Sequence, residues 1–252
     1  MSAQVVIASC QLPDVHENIE RSVGLIIVYA KQAHDRGAKL VCYPECFLQG
    51  YVVDYRARER AIDLSSDAFS EILAQLAHID PVLVIGLIEL EDDVLYNSAV
   101  VIEKGVLLGT YRKANVIGQE NATFQPGHKF PVFQIGDMKF GINICYDLSF
   151  PACAAAVADQ GANLLVCPCN NMLPHKIAEE WKHKHNEIRS KRSKETGLWL
   201  LSSDVTGETG SHISYGPTAL IDRSGVVVNQ IPLLESGLLV QGIDVYVESA
   251  SK

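Results

Sequence analysis

The sequence predicts a mixed α/β fold in which β-sheets of mixed strand direction are sandwiched between helices. Short apolar, β-rich runs alternate with amphipathic stretches along all 252 residues, and two pairs of runs are separated only by short turn sequences. The first pattern is typical of strand–helix–strand units and the second of hairpins, and each sheet must cover an apolar face. No Ser/Gly/Pro-rich linker, internal repeat or low-complexity segment interrupts the pattern, so we expect a single domain over residues 1–252.

The first part of the chain predicts two strand–helix pairs. Gln4–Ala8 is apolar and β-rich, and Asn18–Ala33 then carries apolar residues at helical spacing. Leu40–Cys42 is a short apolar strand that runs into Pro44, and Asp67–His78 repeats the helical pattern.

The middle of the chain predicts hairpins. After the apolar run at 82–90, Asn97–Ile102 and Val106–Tyr111 are separated by a Glu-Lys-Gly turn. Val132–Ile135 and Lys139–Ile144 are separated by Gly-Asp and form a second predicted hairpin.

The last part predicts two helices among strands. Phe150–Gln160 is an Ala-rich helix, and Lys176–Glu195 is a longer one. Predicted strands follow or separate them at Leu164–Cys167, Leu198–Ser203, Tyr215–Asp222, Val226–Gln230 and Leu238–Val245.

Composition excludes several classes of function. The 30 acidic residues outnumber the 21 basic ones and give a net charge of −9, which disfavours nucleic acid and anionic membranes as partners. No run approaches about 18 uncharged apolar residues, and no basic region precedes the N-terminal apolar run, so we expect a soluble, unprocessed protein. The seven cysteines are an odd, scattered set, which is typical of a reducing cytoplasm and not of a disulfide framework.

Three reactive side chains follow apolar strands. Glu45 comes directly after Pro44, which ends ladder hydrogen bonding, and Lys113 ends the run VLLGTYRK. Cys145, in FGINICYDLSFP, lies at a strand-to-helix junction, where backbone N–H groups and a helix dipole favour the thiolate. Each has an ordinary alternative: a surface glutamate in a turn, a solvated lysine, or a buried inert cysteine. Spacing along the chain does not show that the three side chains converge.

The segments that carry these side chains resemble the three signature blocks of the nitrilase, or carbon–nitrogen hydrolase, superfamily. The blocks are YPECFLQGY, YRKANV and NICYDLSFP, in the superfamily's order of Glu, Lys and Cys. The segment Glu120–Gly127 resembles the one that bears a second active-site glutamate, and GANLLVCP, RSKETGLWL and YGPTALIDRSGVVV extend the likeness over essentially the whole chain. The resemblance implies a four-layer αββα sandwich, with two mixed β-sheets covered by helices, that pairs at least into a homodimer.

The resemblance also implies hydrolysis of a non-peptide C–N bond in a small linear amide or carbamoyl substrate. Glu45 would act as general base, Cys145 as nucleophile that forms a thioester, and Lys113 with the Tyr146 N–H as stabiliser of the oxyanion. Glu120 would position the water or the substrate. A nitrilase that acts on nitriles would use the same residues and stays open as an alternative.

A catalytically silent binding or scaffold protein of the same fold is the third hypothesis. It is motivated by Ala152 and Ala155, which stand where the superfamily usually shows an acid and an arginine. Because both lie on the helix after the cysteine block, we interpret them as a changed ion pair or interface feature.

Loops around the three side chains are expected to hold the substrate. Asp147 could contact it or could orient nearby backbone. Asp54 could pair with a cationic substrate end, although a solvated aspartate is the more common case. The other candidates are Tyr51, Tyr55, Phe150, Asn170, Asn171 and Met172.

No metal or cofactor is expected. His183 and His185, with His175, could suggest a metal site, but the two are two residues apart on a helix and therefore lie on different faces. No glycine-rich phosphate loop is present. The basic residues of the same stretch predict a solvated or subunit-contact face: Lys182, Lys184, Arg189, Lys191, Arg192 and Lys194.

Overall fold

The computed structural model describes residues 2–16 and 18–246 of the chain. The strands in this part are β1 (Ser2–Pro13), β2 (Leu40–Cys42), β3 (Val82–Glu91), β4 (Val94–Glu103), β5 (Val106–Arg112), β6 (Val132–Ile135), β7 (Met138–Ile142), β8 (Leu164–Pro168), β9 (Leu173–Pro174), β10 (Trp199–Thr209), β11 (His212–Ser214), β12 (Ala219–Ile221), β13 (Val227–Gln230) and β14 (Gly237–Tyr246). The helices are α1 (Ile19–Asp35), α2 (Arg56–Arg60), α3 (Asp67–Leu76), α4 (Glu120–Thr123), α5 (Pro151–Ala158), α6 (His175–Trp181) and α7 (Lys184–Thr196).

The strands form one large mixed sheet with two halves. The order β5-β4-β3-β2-β1 makes the first half, with β14 antiparallel to β1, and β10-β8-β7-β6 makes the second. The halves are joined where β1 pairs in parallel with β10, from Gln11 opposite Asp204 to Pro13 opposite Thr206. The mixed α/β prediction is therefore confirmed, with the two expected sheets joined into one.

Apolar side chains fill the space between the two halves and beneath the helices. One cluster combines Leu40 and Val84 of the first half with Phe140 and Leu201 of the second. Further clusters pack α1 and α3 on the first half, and α5 on the second. Burying such side chains is the main favourable term in folding, and it fixes which face each strand and helix presents.

Two elements differ from the sequence prediction. The helix expected over Lys176–Glu195 is divided at Lys182 and His183 into α6 and α7. The two parts pack on different elements, because α6 contacts β9 and β11 while α7 contacts β10 and β12. The strand expected over Tyr215–Asp222 is reduced to β12, which pairs with β10 and β13.

One hairpin was not predicted. Strands β3 and β4 pair antiparallel around Asp92 and Asp93, whose φ angles of 48° and 64° lie in the left-handed region. Two consecutive residues with positive φ match the type I′ turn that suits the twist of a hairpin. The Asp-Asp pair is a weaker signal of this turn than Asn-Gly.

Close backbone approach at two strand ends requires glycine. A Cβ on Gly86 of β3 would lie 2.3 Å from the Pro44 carbonyl oxygen and 2.7 Å from the Glu45 Cα atom. A Cβ on Gly127 would lie 2.3 Å from the Arg112 carbonyl oxygen. Both glycines therefore let neighbouring backbone reach the segments that carry the candidate acid and lysine.

Candidate active site

A cavity of about 360 Å³ is lined by residues that follow strands β2, β5, β7 and β8. Glu45, Lys113 and Cys145 all line this cavity. The carboxylate and the ammonium are deeply buried, at 1% and 2% exposure, and the thiol is half-buried. The fold thus brings together three side chains that are far apart along the chain.

A buried ion cluster forms one end of the cavity. The Lys113 ammonium donates to Glu45 Oε1 at 2.7 Å and to the two Glu120 oxygens at 2.8 and 3.0 Å. The Asn97 amide donates to the Oε1 atoms of Glu45 and Glu120 at 2.7 and 2.9 Å. The second oxygen of Glu45 accepts from the Asn170 N–H at 2.8 Å. These contacts fix the carboxylate and the ammonium relative to each other.

The cluster has a distinct electrostatic balance. Burial raises the pKa of Glu45 above its ordinary value of 4.5, and the Lys113 charge opposes that rise. Burial alone would lower the pKa of Lys113, but Glu45 and Glu120 together raise it well above its ordinary value of 10.5. Lys113 is therefore a cation at neutral pH, and Glu45 is a stronger base than an exposed glutamate.

Cys145 begins a 3₁₀-helix, Cys145–Ser149, directly after β7. Its φ of 43° lies in the left-handed region, which is uncommon for a residue with a Cβ and costs about 1 to 3 kcal/mol. Such conformations persist only where the surrounding structure holds them, and they occur often at functional sites.

Asp147 holds this turn in place. Its fully buried carboxylate accepts from the Ile144 N–H at 2.9 Å, from the Tyr111 hydroxyl at 2.8 Å, and from the N–H and side-chain amide of Asn115 at 2.8 and 3.0 Å. Asp147 thereby connects the Cys145 turn to the segment that follows Lys113. Of its two expected roles, the structure gives it the orienting one, because the carboxylate is occupied by protein donors and does not line the cavity.

The Cys145 sulfur lies among groups that favour the neutral thiol. Its Sγ atom is 3.7 Å from Asn171 Oδ1. A hydrogen bond with Cys169, burial and the charge of Glu45 raise the pKa of Cys145 well above its usual range, against the opposing charge of Lys113. The expectation of a resting thiolate is therefore wrong: the dipole of one short turn is outweighed by burial beside a thiol and a carboxylate. The thiol needs a base to become a nucleophile.

A buried arginine supports the wall behind the thiol. Both terminal nitrogens of Arg189 donate twice: Nη1 to Asn186 Oδ1 at 2.8 Å and to the Pro217 carbonyl at 2.5 Å, Nη2 to Cys169 Sγ at 3.0 Å and to Asp204 Oδ2 at 3.3 Å. Arg189 is only 3% exposed.

The solvated or subunit-contact face predicted for the basic stretch is therefore only partly exposed. Lys184, Lys191 and Lys194 are exposed, but Arg189 and Arg192 are buried. The buried face of α7 is polar, so the usual apolar periodicity does not mark it.

The other predicted site residues divide into two groups. Tyr51, Tyr146, Asn170, Asn171 and Met172 line the cavity. Four do not line it: Asp54, Tyr55, Phe150 and Glu120.

Each of these four has a different environment. The Asp54 carboxylate pairs with Arg56 at 2.7 Å on the surface, so the idea that it meets a cationic substrate end in this cavity is not supported. Tyr55 is 80% exposed, and the Phe150 ring packs edge-on against Tyr146. Glu120 lies behind Lys113, where its second oxygen also accepts a backbone N–H, so its expected contact with water or substrate is replaced by contact with the lysine.

The family model for carbon–nitrogen hydrolases matches residues 6–252. The chain belongs to this family. A nitrilase from Pyrococcus abyssi is 29% identical to this carbon–nitrogen hydrolase over 94% of the chain and 87% of the relative. The omega-amidase NIT2-A of Xenopus laevis is 30% identical over 86% of the chain and 79% of the relative.

The fold of this carbon–nitrogen hydrolase is also shared with a solved structure. The crystal structure of an amidase from Nesterenkonia sp. superposes with a TM-score of 0.84 at 25% identity, and the match covers 96% of this chain and 90% of the other. Ala152 and Ala155, the departures from the superfamily pattern, lie on α5 and do not line the cavity.

Sequence reasoning missed several residues of the site in this carbon–nitrogen hydrolase. Asn97 bridges the two glutamates. A sequence feature that could have indicated its role is the presence of a single amide side chain in the apolar strand β4. No sequence pattern marks Cys169 as part of the site, although it contacts the Cys145 side chain. Asp204 accepts from the side chain and the backbone of Asn171, and no local pattern marked it.

The histidines of α6 and α7 do not form a metal site. His175 lies 3.1 Å from Glu208 on the surface. Burial and the nearby Arg189 charge lower the pKa of His185 to about 3, so its ring is neutral at physiological pH. Within residues 2–16 and 18–246, no cluster of three or more His, Cys, Asp or Glu side chains is arranged to hold a metal ion. No helix in this part of the chain is long and apolar enough to cross a membrane.

Replacing Cys169 with alanine should lower the pKa of Cys145, because the Cys169 hydrogen bond is the largest cause of its rise. The midpoint of the pH profile for alkylation of Cys145 by iodoacetamide should therefore move to lower pH, with the modified peptide identified by mass spectrometry. Cys153→Ala is the matched control, since that thiol lies against Asn115 and does not line the cavity. A midpoint that stays in place or rises in Cys169→Ala would contradict this account.

Proposed function

We propose that this chain is a cofactor-free amidase that hydrolyses a small linear amide through a thioester on Cys145. The proposal rests on one observation: the buried Glu45–Lys113 ion pair and the Cys145 thiol line the same cavity. A base, a cation and a thiol are the groups that acyl transfer requires. Family membership and the omega-amidase and amidase relatives support the same reaction class.

In the acylation half of the proposed reaction, the Glu45 carboxylate takes the proton of the Cys145 thiol as the sulfur attacks the amide carbon. The carbonyl oxygen becomes an oxyanion that Lys113 and the Tyr146 N–H stabilise. Glu45 returns the proton to the leaving nitrogen, the C–N bond breaks, and ammonia departs. The acyl group remains on sulfur as a thioester.

In the deacylation half, Glu45 takes a proton from a water molecule that attacks the thioester carbon. The same two donors stabilise the second oxyanion, the C–S bond breaks, and the carboxylic acid leaves. The proton returns to the sulfur of Cys145, so the enzyme ends in its starting state.

Glu120 acts in this scheme as a positioning residue. Its two oxygens accept from the Lys113 ammonium and do not line the cavity. It therefore keeps Lys113 charged and directed at the oxyanion while Glu45 changes its protonation state. Asn97 has the same function toward both carboxylates.

The direct test is ammonia release from a panel of short amides and the matching nitriles. We expect turnover of at least one amide, and the Cys145→Ala variant should retain the fold and lose the activity. Hydrolysis that persists in Cys145→Ala would refute the assignment. Activity on the nitriles alone would favour the nitrilase alternative. The relative from Pyrococcus abyssi is named a nitrilase.

The silent scaffold alternative has its own test. An active nucleophile should be labelled by iodoacetamide at Cys145 before the other six cysteines, which are all buried. A Cys145 that resists labelling, in a protein without turnover, would favour the scaffold.

We further propose that the chain is a single carbon–nitrogen hydrolase domain that works as a cytoplasmic homodimer. All seven cysteines are free thiols, which suits a reducing compartment. Light scattering should give a particle of twice the 27.6 kDa of one chain. A particle of monomer mass at working concentrations would contradict the dimer.

A further inference from the structure

The wall of the cavity away from the reacting groups is apolar. One side is a stripe formed by Ile177 and Trp181 on α6 and Ile188 on α7, together with the neutral ring of His185. The remaining wall consists mainly of Ile117, Leu148, Met172 and Leu173. A ligand whose reacting carbon lies at Cys145 would therefore place the rest of its acyl chain against hydrocarbon.

The cations that line the cavity are already paired. Lys113 donates to two carboxylates, and Arg189 donates to four acceptors, one of which is the Asp204 carboxylate. His185 is neutral at physiological pH, because burial and Arg189 lower its pKa to about 3. No positive charge on the described wall is left for a second carboxylate on the substrate.

The charges around the cavity also have an unfavourable sign for an anion. The ion pairs made by the two cavity-lining cations, Lys113 and Arg189, contain three buried carboxylates, Glu45, Glu120 and Asp204. The excess is one negative charge in a desolvated environment, where Coulomb repulsion is weakly screened. An acyl chain that ends in a carboxylate would lose its hydration and gain no ion pair.

We propose that the site selects amides with an uncharged, apolar acyl chain and rejects amides that carry a second carboxylate. This inference rests on the proposed amidase function. It chooses the short aliphatic class over the dicarboxylate monoamides that the sequence left open. The apolar stripe on α6 and α7 would make Trp181 a specificity-determining residue.

The test uses 4-methylpentanamide and succinamate, which have the same number of non-hydrogen atoms and differ in an isopropyl or a carboxylate end. We expect kcat/KM for 4-methylpentanamide to exceed that for succinamate by about 100-fold or more. Equal values, or a preference for succinamate, would overturn the inference while leaving the amidase function intact. A preference for the cationic 5-aminopentanamide over both would also overturn it.

Binding measurements test the proposed selectivity independently of the proposed amidase function. If no amide of the panel releases ammonia, the amidase proposal fails, and the selectivity is decided by calorimetric titration of both amides into Cys145→Ala. Tighter binding of 4-methylpentanamide would support an apolar site. Equal binding, tighter binding of succinamate, or no binding of either would overturn it.

A charge placed on the wall provides a second test. Ile177 is 44% exposed on α6, so a longer polar side chain fits there without repacking the core. Ile177→Arg should raise kcat/KM for succinamate by roughly fivefold over the neutral control Ile177→Gln, because a partly exposed ion pair contributes about 1 kcal/mol. The same value in both variants would mean that charge does not set the selectivity and would contradict the inference.

Trp181 gives a matching test for the apolar contact. Trp181→Ala should raise KM for 4-methylpentanamide by about tenfold and leave KM for acetamide nearly unchanged, since only the longer chain reaches the ring. An equal rise in KM for both amides would contradict the assignment of Trp181.

Discussion

Replacing Lys113 with methionine should lower the free energy of unfolding by about 3 to 5 kcal/mol near pH 8, the cost typical of breaking a buried ion pair. Methionine fills a similar volume, so the loss arises from charge and not from a cavity. Glu45 and Glu120 would then face each other with only the Asn97 amide between them. Chemical denaturation of wild type and variant measures the difference. Turnover should fall by at least about 100-fold, because the proposed oxyanion donor is removed.

The stability deficit of Lys113→Met should depend on pH with a definite sign. In the wild type the pKa of Lys113 is raised well above its usual range, so the lysine contributes stability at all pH values below its unfolded pKa of about 10.5. Without that cation, the pKa of Glu45 should rise further above 4.5, since burial and Glu120 both raise it. A carboxyl group with a raised folded pKa destabilises the fold as pH increases. The deficit should therefore be largest near pH 8 and shrink as pH falls toward about 5.

Two further variants show whether the ion cluster is the cause. Arg112→Met changes the neighbouring residue, whose half-buried guanidinium pairs with Glu89 and Glu91, and it should cost less because solvent screens that pair more. Adding Glu120→Gln to Lys113→Met removes one of the two facing carboxylates and should recover part of the lost stability. A deficit that is independent of pH, or that Glu120→Gln does not reduce, would mean that Lys113 contributes by packing alone.

Local signals predicted most of the fold and the positions of the three candidate catalytic side chains. Pro44 ends ladder hydrogen bonding after β2, and the apolar runs before Lys113 and Cys145 mark two more strand ends, so each functional group could be placed at a strand end from its own neighbourhood. Their order matched the superfamily blocks, and the cavity then showed that they converge.

Other features depend on contacts between distant segments, which periodicity does not encode. The pairing of β1 with β10 joins residues about 190 positions apart and turns two sheets into one. The break between α6 and α7 follows from their separate packing partners. The buried Arg189 is paired with Asp204, and no sequence pattern around Asp204 indicates this contact. The sequence alone therefore predicts a solvated or subunit-contact face for the basic stretch.

The raised pKa of Cys145 was missed for a related reason. The strand-to-helix junction was identified correctly, and its dipole was taken as the main influence on the thiol. The largest effects come instead from Cys169, burial and Glu45, which lie on other segments. With a neutral resting thiol, the proposed first step depends on Glu45 as the base.

Replacing Glu45 with glutamine should reduce kcat/KM by about 10³-fold, in the range of a lost general base. The pH profile should change as well. Burial raises the pKa of Glu45 above 4.5, and only the ionised form accepts a proton, so wild-type kcat/KM should fall as pH decreases through a midpoint above 4.5. The residual activity of Glu45→Gln should lack this acid limb. Glu89→Gln, which alters a buried carboxylate paired with Arg112 and Ser98 outside the cavity, should keep the limb and the turnover.

The pKa of Cys145 distinguishes two reasons for slow turnover in Glu45→Gln: loss of the base and disorder of the site. The charge of Glu45 is one cause of the raised pKa of Cys145, so Glu45→Gln should lower that pKa and move the alkylation midpoint to lower pH. The variant would then hold a more readily ionised thiol and yet turn over far more slowly. A disordered site would also slow turnover, but it would bring the pKa of Cys145 toward that of an exposed cysteine and lower the stability together. A more ionised Cys145 in a stable, inactive variant is therefore the result that identifies Glu45 as the base. The proposed deacylation step still requires a group that takes a proton from water, and the Cys145 sulfur, which is bound in the thioester at that step, does not provide that group.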